Sequence, residues 1–259
     1  MLCTQATGKI RAAGLLFCLT GIAVAQNTPQ NTPQNTPQNT WIRVTTVKVK
    51  PEMVQEWREI EKNEIMPAYK KANVPAYAVW QTSLFGDAYE YTIVVQVPKF
   101  DQFDGDSPLV KTMKPEDRVR LGYRLAKCIV SSHSSALLMQ ADTSVIKEGA
   151  AMPDLIMVSR IQLQPKNVNA YLGYLKEEIK PIMQKAGQDW WLVYRDIFGA
   201  EHTQITTVRS MKNWAEIDAG PLTRRLLSPS EYSRVTDKGN ALIESSTITM
   251  GRFIKDLSY

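Results

Sequence analysis

Apolar and polar residues alternate along two stretches of the chain, "IRVTTVKV" at 42–49 and "IMVSRIQL" at 156–163. A period of two with many β-branched residues predicts a β-strand at each place. A proline follows each strand, Pro51 and Pro165, and apolar residues then recur every three to four positions. This spacing predicts an amphipathic helix with the proline in its first turn, where a missing N–H group breaks no helical hydrogen bond.

Each predicted helix carries a second proline, Pro67 or Pro181, which is expected to kink the helix late or to begin its last turn. Two apolar-rich segments then flank Gly86 and, in the second half, Gly199, which predicts a β-hairpin in each half. The segments are "AYAVWQTSLF" with "YEYTIVVQV", and "WWLVYRDIF" with "TQITTVR". An interrupted helical region and a last strand come next: 99–104 and 115–130 before "SALLMQA", and 214–217 and 229–243 before "STITMGRFI".

The two halves repeat one another. Residues 44–72 align with residues 158–186 at a constant spacing of 114 positions. The order β-α-β-β-α-β in each half is that of a ferredoxin-like unit, whose sheet carries helices on one face only. The sequence therefore predicts an α+β protein with two tandem ferredoxin-like units, whose open sheet faces meet in an intramolecular barrel. The predicted units are 41–142 and 154–259, joined by a connector at 143–153.

The region from Trp41 to Tyr259 resembles the dimeric α/β-barrel superfamily, which includes antibiotic-biosynthesis-monooxygenase-like and NIPSNAP-like modules. The resemblance depends on the element order, the "KP…P…KA" helix, and the "FG" hairpin followed by an acidic-aromatic segment and "PL". It is closest to exported bacterial proteins of this fold that have no assigned activity. The superfamily includes cofactor-free oxygenases, haem enzymes, isomerases, dehalogenating enzymes and binding modules, so the resemblance implies a fold and no single activity.

The N-terminus predicts export. Residues 1–25 combine Lys9 and Arg11 with a short apolar run and the small-residue triplet 23–25, the pattern of a secretory signal peptide cleaved near Ala25. Residues 26–40, "QNTPQNTPQNTPQNT", have little apolar area to bury, so we expect a disordered tether. The mature protein is expected in the periplasm or outside the cell, with Cys128 as its one cysteine.

Composition and motifs exclude several classes of function. Removing Lys9 and Arg11 lowers the formal charge from +5 to +3, and basic residues are interleaved with acidic ones, so no nucleic-acid partner is expected. After residue 25 no stretch is long enough for membrane insertion. The two histidines, His133 and His202, stand apart from any cluster of metal ligands, and nucleotide-binding motifs are absent. The expectation is therefore no cofactor and no metal, although a lone histidine can also serve as a haem ligand.

A candidate pocket follows from the predicted pairing of the second hairpin. A tight turn at residues 199–200 would place Arg195 opposite Gln204, on the face expected to line the barrel. The candidate ligand-binding residues are Arg195, His202, Gln204, Trp191 and Arg160 from the second half, with Tyr77, Gln81 and Tyr91 from the first. Arg160 is either an anchor for an anion or carbonyl group, or an arginine solvated or paired with Glu90, Asp196 or Glu201.

Three functions remain open at this point. The first is binding of a small molecule, aromatic or anionic, in the barrel. The second is a cofactor-independent monooxygenase, which needs little more than a base and a dry cavity. The third is a structural or interaction module with a packed barrel. The repeat predicts a monomeric pseudo-dimer or a homodimer, and no catalytic motif is recognisable.

Overall fold

The computed structural model describes residues 39–259. The predicted signal peptide and the predicted tether up to residue 38 lie outside the described residues. No helix among residues 39–259 has the length and apolar character needed to cross a membrane.

The first half of the described chain contains four long strands and two helical regions. Strand β1 (Trp41–Val49) is followed by helices α1 (Val54–Ile60) and α2 (Met66–Lys71), and then by strands β2 (Tyr77–Thr82) and β3 (Glu90–Val97). The second helical region consists of α3 (Pro108–Thr112) and α4 (Pro115–Cys128), with a 3₁₀ turn, Phe100–Phe103, before it. Strand β4 (Ile129–Met139) follows and begins six residues before the predicted segment "SALLMQA".

The second half repeats this order after a short strand, β5 (Val145–Ile146). It contains β6 (Leu155–Leu163), α5 (Val168–Tyr174), α6 (Lys180–Lys185), β7 (Trp190–Phe198), β8 (Gln204–Met211), α7 (Ala215–Asp218), α8 (Leu222–Leu226), α9 (Pro229–Asn240) and β9 (Ile243–Phe253). Short 3₁₀ turns also precede α1 and α5, at Pro51–Met53 and Pro165–Asn167, and another, Lys255–Leu257, follows β9. The predicted order of strand, helix, two strands, interrupted helical region and strand is found in each half, whereas β5, α3 and α8 were not predicted.

Prolines shape the long helix of each half. A five-residue π-helical segment, Glu61–Ile65 or Leu175–Ile179, joins the two α-helical pieces directly before Pro67 or Pro181. In the first half the N–H of Met66 donates to the carbonyl of Glu61, five residues back. A proline inside a helix donates no hydrogen bond and its ring crowds the carbonyl four residues before it, so the helix widens there.

Eight strands close into a barrel in which every pair is antiparallel. The order is β4-β1-β3-β2 and then β9-β6-β8-β7, and pairing of β4 with β7 completes the ring. β4 pairs only with the second part of β7, and the short strand β5 pairs with the beginning of β7, at Trp190 and Trp191. Closure removes the exposed strand edges that an open sheet would present.

Helices cover the outside of the barrel and form two apolar cores against it. The first core contains Trp57, Ile60 and Tyr91 from the first half. The second contains Tyr171, Trp191 and related residues from the second half. The opposite sheet faces turn towards the interior of the barrel, where the candidate site lies.

Candidate functional site

The barrel encloses a cavity of about 360 Å³, within the usual size range of small-molecule pockets. All eight barrel strands line it, seven of them through alternate residues, as the period of two requires, and β9 through Thr249, Met250 and Gly251. The barrel is therefore not packed solid.

Polar and apolar lining residues lie at opposite ends of this cavity. β2 and β7 are four antiparallel neighbours apart, so they run in the same direction and both hairpins turn at one end of the barrel, here called the hairpin end. Lining residues nearest that end are polar: Thr46, Thr82, Glu90, Thr92, His133, Arg160, Asp196, Gln204 and Thr206. Lining residues towards the other end are apolar: Ile42, Ala78, Val94, Leu137, Ile156, Trp190, Leu192 and Val208.

Asp196 is the most enclosed charged group of the cavity, with 3% of its surface exposed. Its Oδ2 atom accepts hydrogen bonds from the Gln204 amide and, at 3.3 Å, from the Thr206 hydroxyl. Its Oδ1 atom is buried and has no hydrogen-bond partner within residues 39–259. Burial raises the pKa of the Asp196 carboxyl to about 6, against the opposing effects of these two donors and of the Arg160 charge. Asp196 can therefore accept or release a proton near neutral pH.

Arg160 supplies a positive charge to the same region. It lies on β6 directly opposite Thr206 of β8, and its charge lowers the pKa of Asp196. The hydrogen bonds and ion pairs found among residues 39–259 include none to its guanidinium group. It is thus a cation at the polar end of the cavity with donors available to a ligand.

The first half provides a related pair at the same end. The Thr82 hydroxyl donates to Glu90 Oε1 at 3.0 Å, and these residues precede Asp196 and Gln204 by 114 positions each. The carboxylate is on the second strand of the hairpin in the first half and on the first strand in the second half. Aromatic walls adjoin both pairs, from Trp80 on β2 and Tyr194 on β7, and burial raises the pKa of Tyr194.

The facing predicted for Trp191 and Arg195 is wrong. The loop between β7 and β8 spans residues 199–203, longer than the predicted tight turn, and Arg195 pairs with Ile205 instead of Gln204. A shift of one residue moves a strand's side chains to the other face. Trp191 accordingly packs in the second helix-covered core, and Arg195 shares that outer face.

The remaining predicted residues divide between the cavity and other places. Arg160 and Gln204 line the cavity, and their binding role stays a prediction. The predicted inward facing of the three first-half residues is also wrong, because Tyr77 and Tyr91 belong to the first helix-covered core and Gln81 pairs with Tyr91 on that face. His202 is exposed in the hairpin loop and does not line the cavity.

Sequence reasoning missed Asp196, Tyr194, Trp190 and Trp80 as cavity residues. They alternate with the predicted site residues on β2 and β7. The strands were therefore predicted correctly, but the wrong face of each was assigned to the barrel interior. Thr206 could have identified the inward face of β7. Cross-strand partners share one face of a sheet, and Thr206 lies opposite both Arg160 and Tyr194.

The two histidines lie at the rim of the cavity or outside it. His133 lies at the cavity rim, where its Nε2 atom is hydrogen-bonded to the carbonyl of Gly199, and His202 is exposed on a loop. Within residues 39–259 there is also no group of three or more His, Cys, Asp or Glu side chains able to hold a metal ion.

The fold and cavity define a closed, eight-stranded α+β barrel, and comparison with solved structures supports this class. The chain is similar to a proposed monooxygenase from Lactobacillus acidophilus NCFM, with 9% identity, 85% of this chain and 96% of that chain covered, and a TM-score of 0.56. An anthrone oxidase-like protein matches at 10% identity, covering 85% and 93%, with a TM-score of 0.58. A tryptophan-to-phenylalanine variant of chlorite dismutase from Candidatus Nitrospira defluvii, in complex with cyanide, matches at 12% identity, covering 84% and 92%, with a TM-score of 0.54.

At these identities the likeness shows the fold alone, which is that of dimeric α/β barrels. No family model matches the sequence, and no curated protein matches it.

Proposed function

We propose that the barrel binds a small amphiphilic molecule, with its polar group at the hairpin end and its apolar body at the opposite end. The observation that carries this proposal is Asp196, a buried carboxyl group that lines the cavity and whose Oδ1 atom has no partner among the described residues. A buried polar atom without a hydrogen bond is costly, and a ligand that bonds to it recovers that cost.

The charges of the site define the polar group of the ligand. Arg160 provides donors, and Asp196 provides an acceptor when ionised or a donor when protonated. A carbonyl or carboxylate oxygen meets Arg160, and a neighbouring hydroxyl group meets Asp196. The apolar body contacts Leu192 and the ring of Trp190, so an aromatic or branched aliphatic body fits.

The test is calorimetric titration with 2-naphthoate, which has a two-ring apolar body and one carboxylate. Arg160→Leu should weaken binding at least tenfold because it removes the cation at the polar end. Arg195→Leu is the matched control, since Arg195 lies on β7, two strands away from Arg160 in the barrel, and on the outer face. Equal losses in both variants, or no loss in Arg160→Leu, would contradict the proposal.

A second candidate function is cofactor-independent oxygenation of an electron-rich aromatic molecule. The specific observation in its favour is the pKa of Asp196, about 6, which suits a general base that removes a proton from a substrate O–H or acidic C–H group at neutral pH. The likeness to a proposed monooxygenase and to an anthrone oxidase-like protein supports it at the level of the fold.

Oxygen consumption with an anthrone, without added metal or cofactor, tests this activity. Asp196→Asn should abolish consumption while retaining anthrone binding, since the amide keeps the shape but removes the base. Consumption that persists in this variant would rule out Asp196 as the base.

Export and duplication are further parts of the proposal. The signal-like residues 1–25 support cleavage near Ala25, and N-terminal sequencing of exported protein is expected to begin at Gln26. Tandem duplication is supported by the repeated element order and by the constant spacing of 114 positions between matched residues. The duplicated units would then form the barrel within one monomer, as a pseudo-dimer.

A further inference from the structure

A second cavity, of about 170 Å³, lies in the first half between the outer face of the barrel and the long helix. It is separate from the barrel interior and shares none of its lining residues. Its walls include three aromatic side chains, Trp57, Tyr69 and Tyr77, and two charged ones, Arg43 and Glu61.

Polar groups in this cavity form two hydrogen-bonded pairs. The Tyr77 hydroxyl donates to Glu61 Oε2 at 2.6 Å, and Arg43 Nη2 donates to the Tyr69 hydroxyl at 2.8 Å. Glu61 is 3% exposed and Tyr77 is 2% exposed. Burial raises the pKa of Glu61 to about 7, although the hydrogen bond from Tyr77 acts in the opposite direction.

Two donors here remain without partners. Trp57 is fully buried, and its Nε1 atom has no hydrogen-bond partner within residues 39–259. The Nε atom of Arg43 is likewise buried and unpartnered in that range. Both side chains line the cavity, so a molecule placed in it can accept a hydrogen bond from either.

The second half shows that the fold does not require these polar residues. The residues 114 positions after Arg43, Glu61, Tyr69 and Tyr77 are Met157, Leu175, Met183 and Trp191. Leu175, Met183 and Trp191 are buried in the second helix-covered core, and the helix there has the same π-helical segment. At the matching place of the second half, Met157, Leu175, Met183 and Trp191 line a cavity of about 280 Å³. An apolar set thus occupies these positions there, while the first half has a buried acid, an arginine and two phenols.

We propose that the cavity holding Glu61, Tyr77, Trp57 and Arg43 is a second binding site, for a neutral single-ring molecule with a hydroxyl group, such as a simple phenol. The ligand oxygen accepts a hydrogen bond from Trp57 or Arg43, and its hydroxyl donates to Glu61. A neutral ligand suits the site because a further buried charge would need its own partner. This proposal does not depend on the function proposed for the barrel.

The cavity size agrees with a ligand of this class. An engineered protein cavity of about 150 Å³ is large enough to hold benzene. Arg43 and Tyr69 also line an adjacent cavity of about 230 Å³, bounded by the segments after α2 and β3. These two side chains therefore border both cavities.

The direct test is a titration of the full chain with phenol, followed through the indole N–H signals in ¹H–¹⁵N NMR spectra. Trp57→Phe assigns the Trp57 signal. We expect that signal to shift and saturate with phenol, while the signal of Trp190 in the barrel does not follow the same curve. A Trp57 signal that stays in place at saturating phenol would overturn the proposal.

Variants test the role of the acid. Glu61→Leu introduces the residue found at the matched position 175, and calorimetry should show phenol binding weakened at least tenfold while circular dichroism shows the native fold. Arg195→Leu, at a residue that lines neither this cavity nor the barrel interior, should leave phenol binding unchanged. Unaltered affinity in Glu61→Leu, or an equal loss in Arg195→Leu, would refute the second site. Should Glu61→Leu fail to fold, the NMR titration of the unaltered chain still decides the question.

Discussion

Glu61 makes stability depend on pH at the scale of a single residue. Its folded-state pKa of about 7 lies above the ordinary value of 4.5, so the folded chain holds a proton that the unfolded chain releases. Its contribution is therefore present below pH 4.5 and is lost as pH rises through about 7. At about 1.4 kcal/mol per pKa unit, the loss is about 3 kcal/mol.

Urea unfolding at pH 4.5 and pH 7.5 checks this value. The free energy of unfolding of the unaltered protein, measured relative to Glu61→Leu, should fall by about 3 kcal/mol between the two pH values. Asp196, whose pKa is also raised, titrates in both proteins and cancels in the comparison. The Tyr77 hydroxyl left unpaired in the variant adds only a constant offset. A difference that does not change with pH would show that Glu61 ionises normally.

At the scale of elements, the β7–β8 hairpin is held against β4 by the close approach of a glycine. Gly199 has a φ of +69°, and a Cβ atom built on it would lie 2.2 Å from the backbone oxygen of Ser134. Gly199→Ala should therefore force the hairpin away from β4, at a cost greater than the strain of a positive φ alone, which is about 1–3 kcal/mol.

Gly187→Ala is the matched control, because Gly187 has a φ of +66° and a Cβ atom added there would meet no neighbouring atom within 4 Å. Thermal unfolding of both variants separates the contact from the backbone strain. Gly199→Ala should have the lower Tm of the two. Equal Tm values would mean that the β4–β7 seam does not depend on this contact.

At the scale of the whole molecule, two seams join the halves: β2 with β9, and β4 with β7. Separating residues 41–142 from residues 154–259 breaks both seams and exposes the apolar end of the cavity. Each fragment alone should aggregate, self-associate or remain partly unfolded, as unpaired strand edges and open sheet faces do. Co-expressed fragments should reassociate.

Size-exclusion chromatography with light scattering, combined with thermal melts, measures this outcome. A fragment that is monomeric and unfolds cooperatively at micromolar concentration would show that a half is stable without its partner. The intramolecular barrel would then be an association of two independent domains.

Much of the architecture follows from sequence pattern because it depends on local chemistry. The alternation in 42–49 and 156–163, the prolines at Pro51 and Pro165, and the turn glycines predict the observed order of strands and helices. The open face of each sheet also predicts closure into a barrel, since apolar strand faces need a partner. The polar character of one barrel end was partly predictable, through Arg160 and Gln204.

Only the tertiary structure decided which face of each hairpin turns inward. A period of two separates a strand into two faces but does not say which one is buried under helices, and both faces of β7 carry aromatic residues. The loop at 199–203 sets the register of β7 against β8. This register differs by one residue from that of a tight turn, and it places Asp196 inside the barrel and Arg195 outside. In the first half, Tyr77 likewise lies on the outer face of the barrel and not on the predicted inner face. It contacts Glu61 beneath the helix, and this contact between residues 16 positions apart depends on how the helix packs across the sheet.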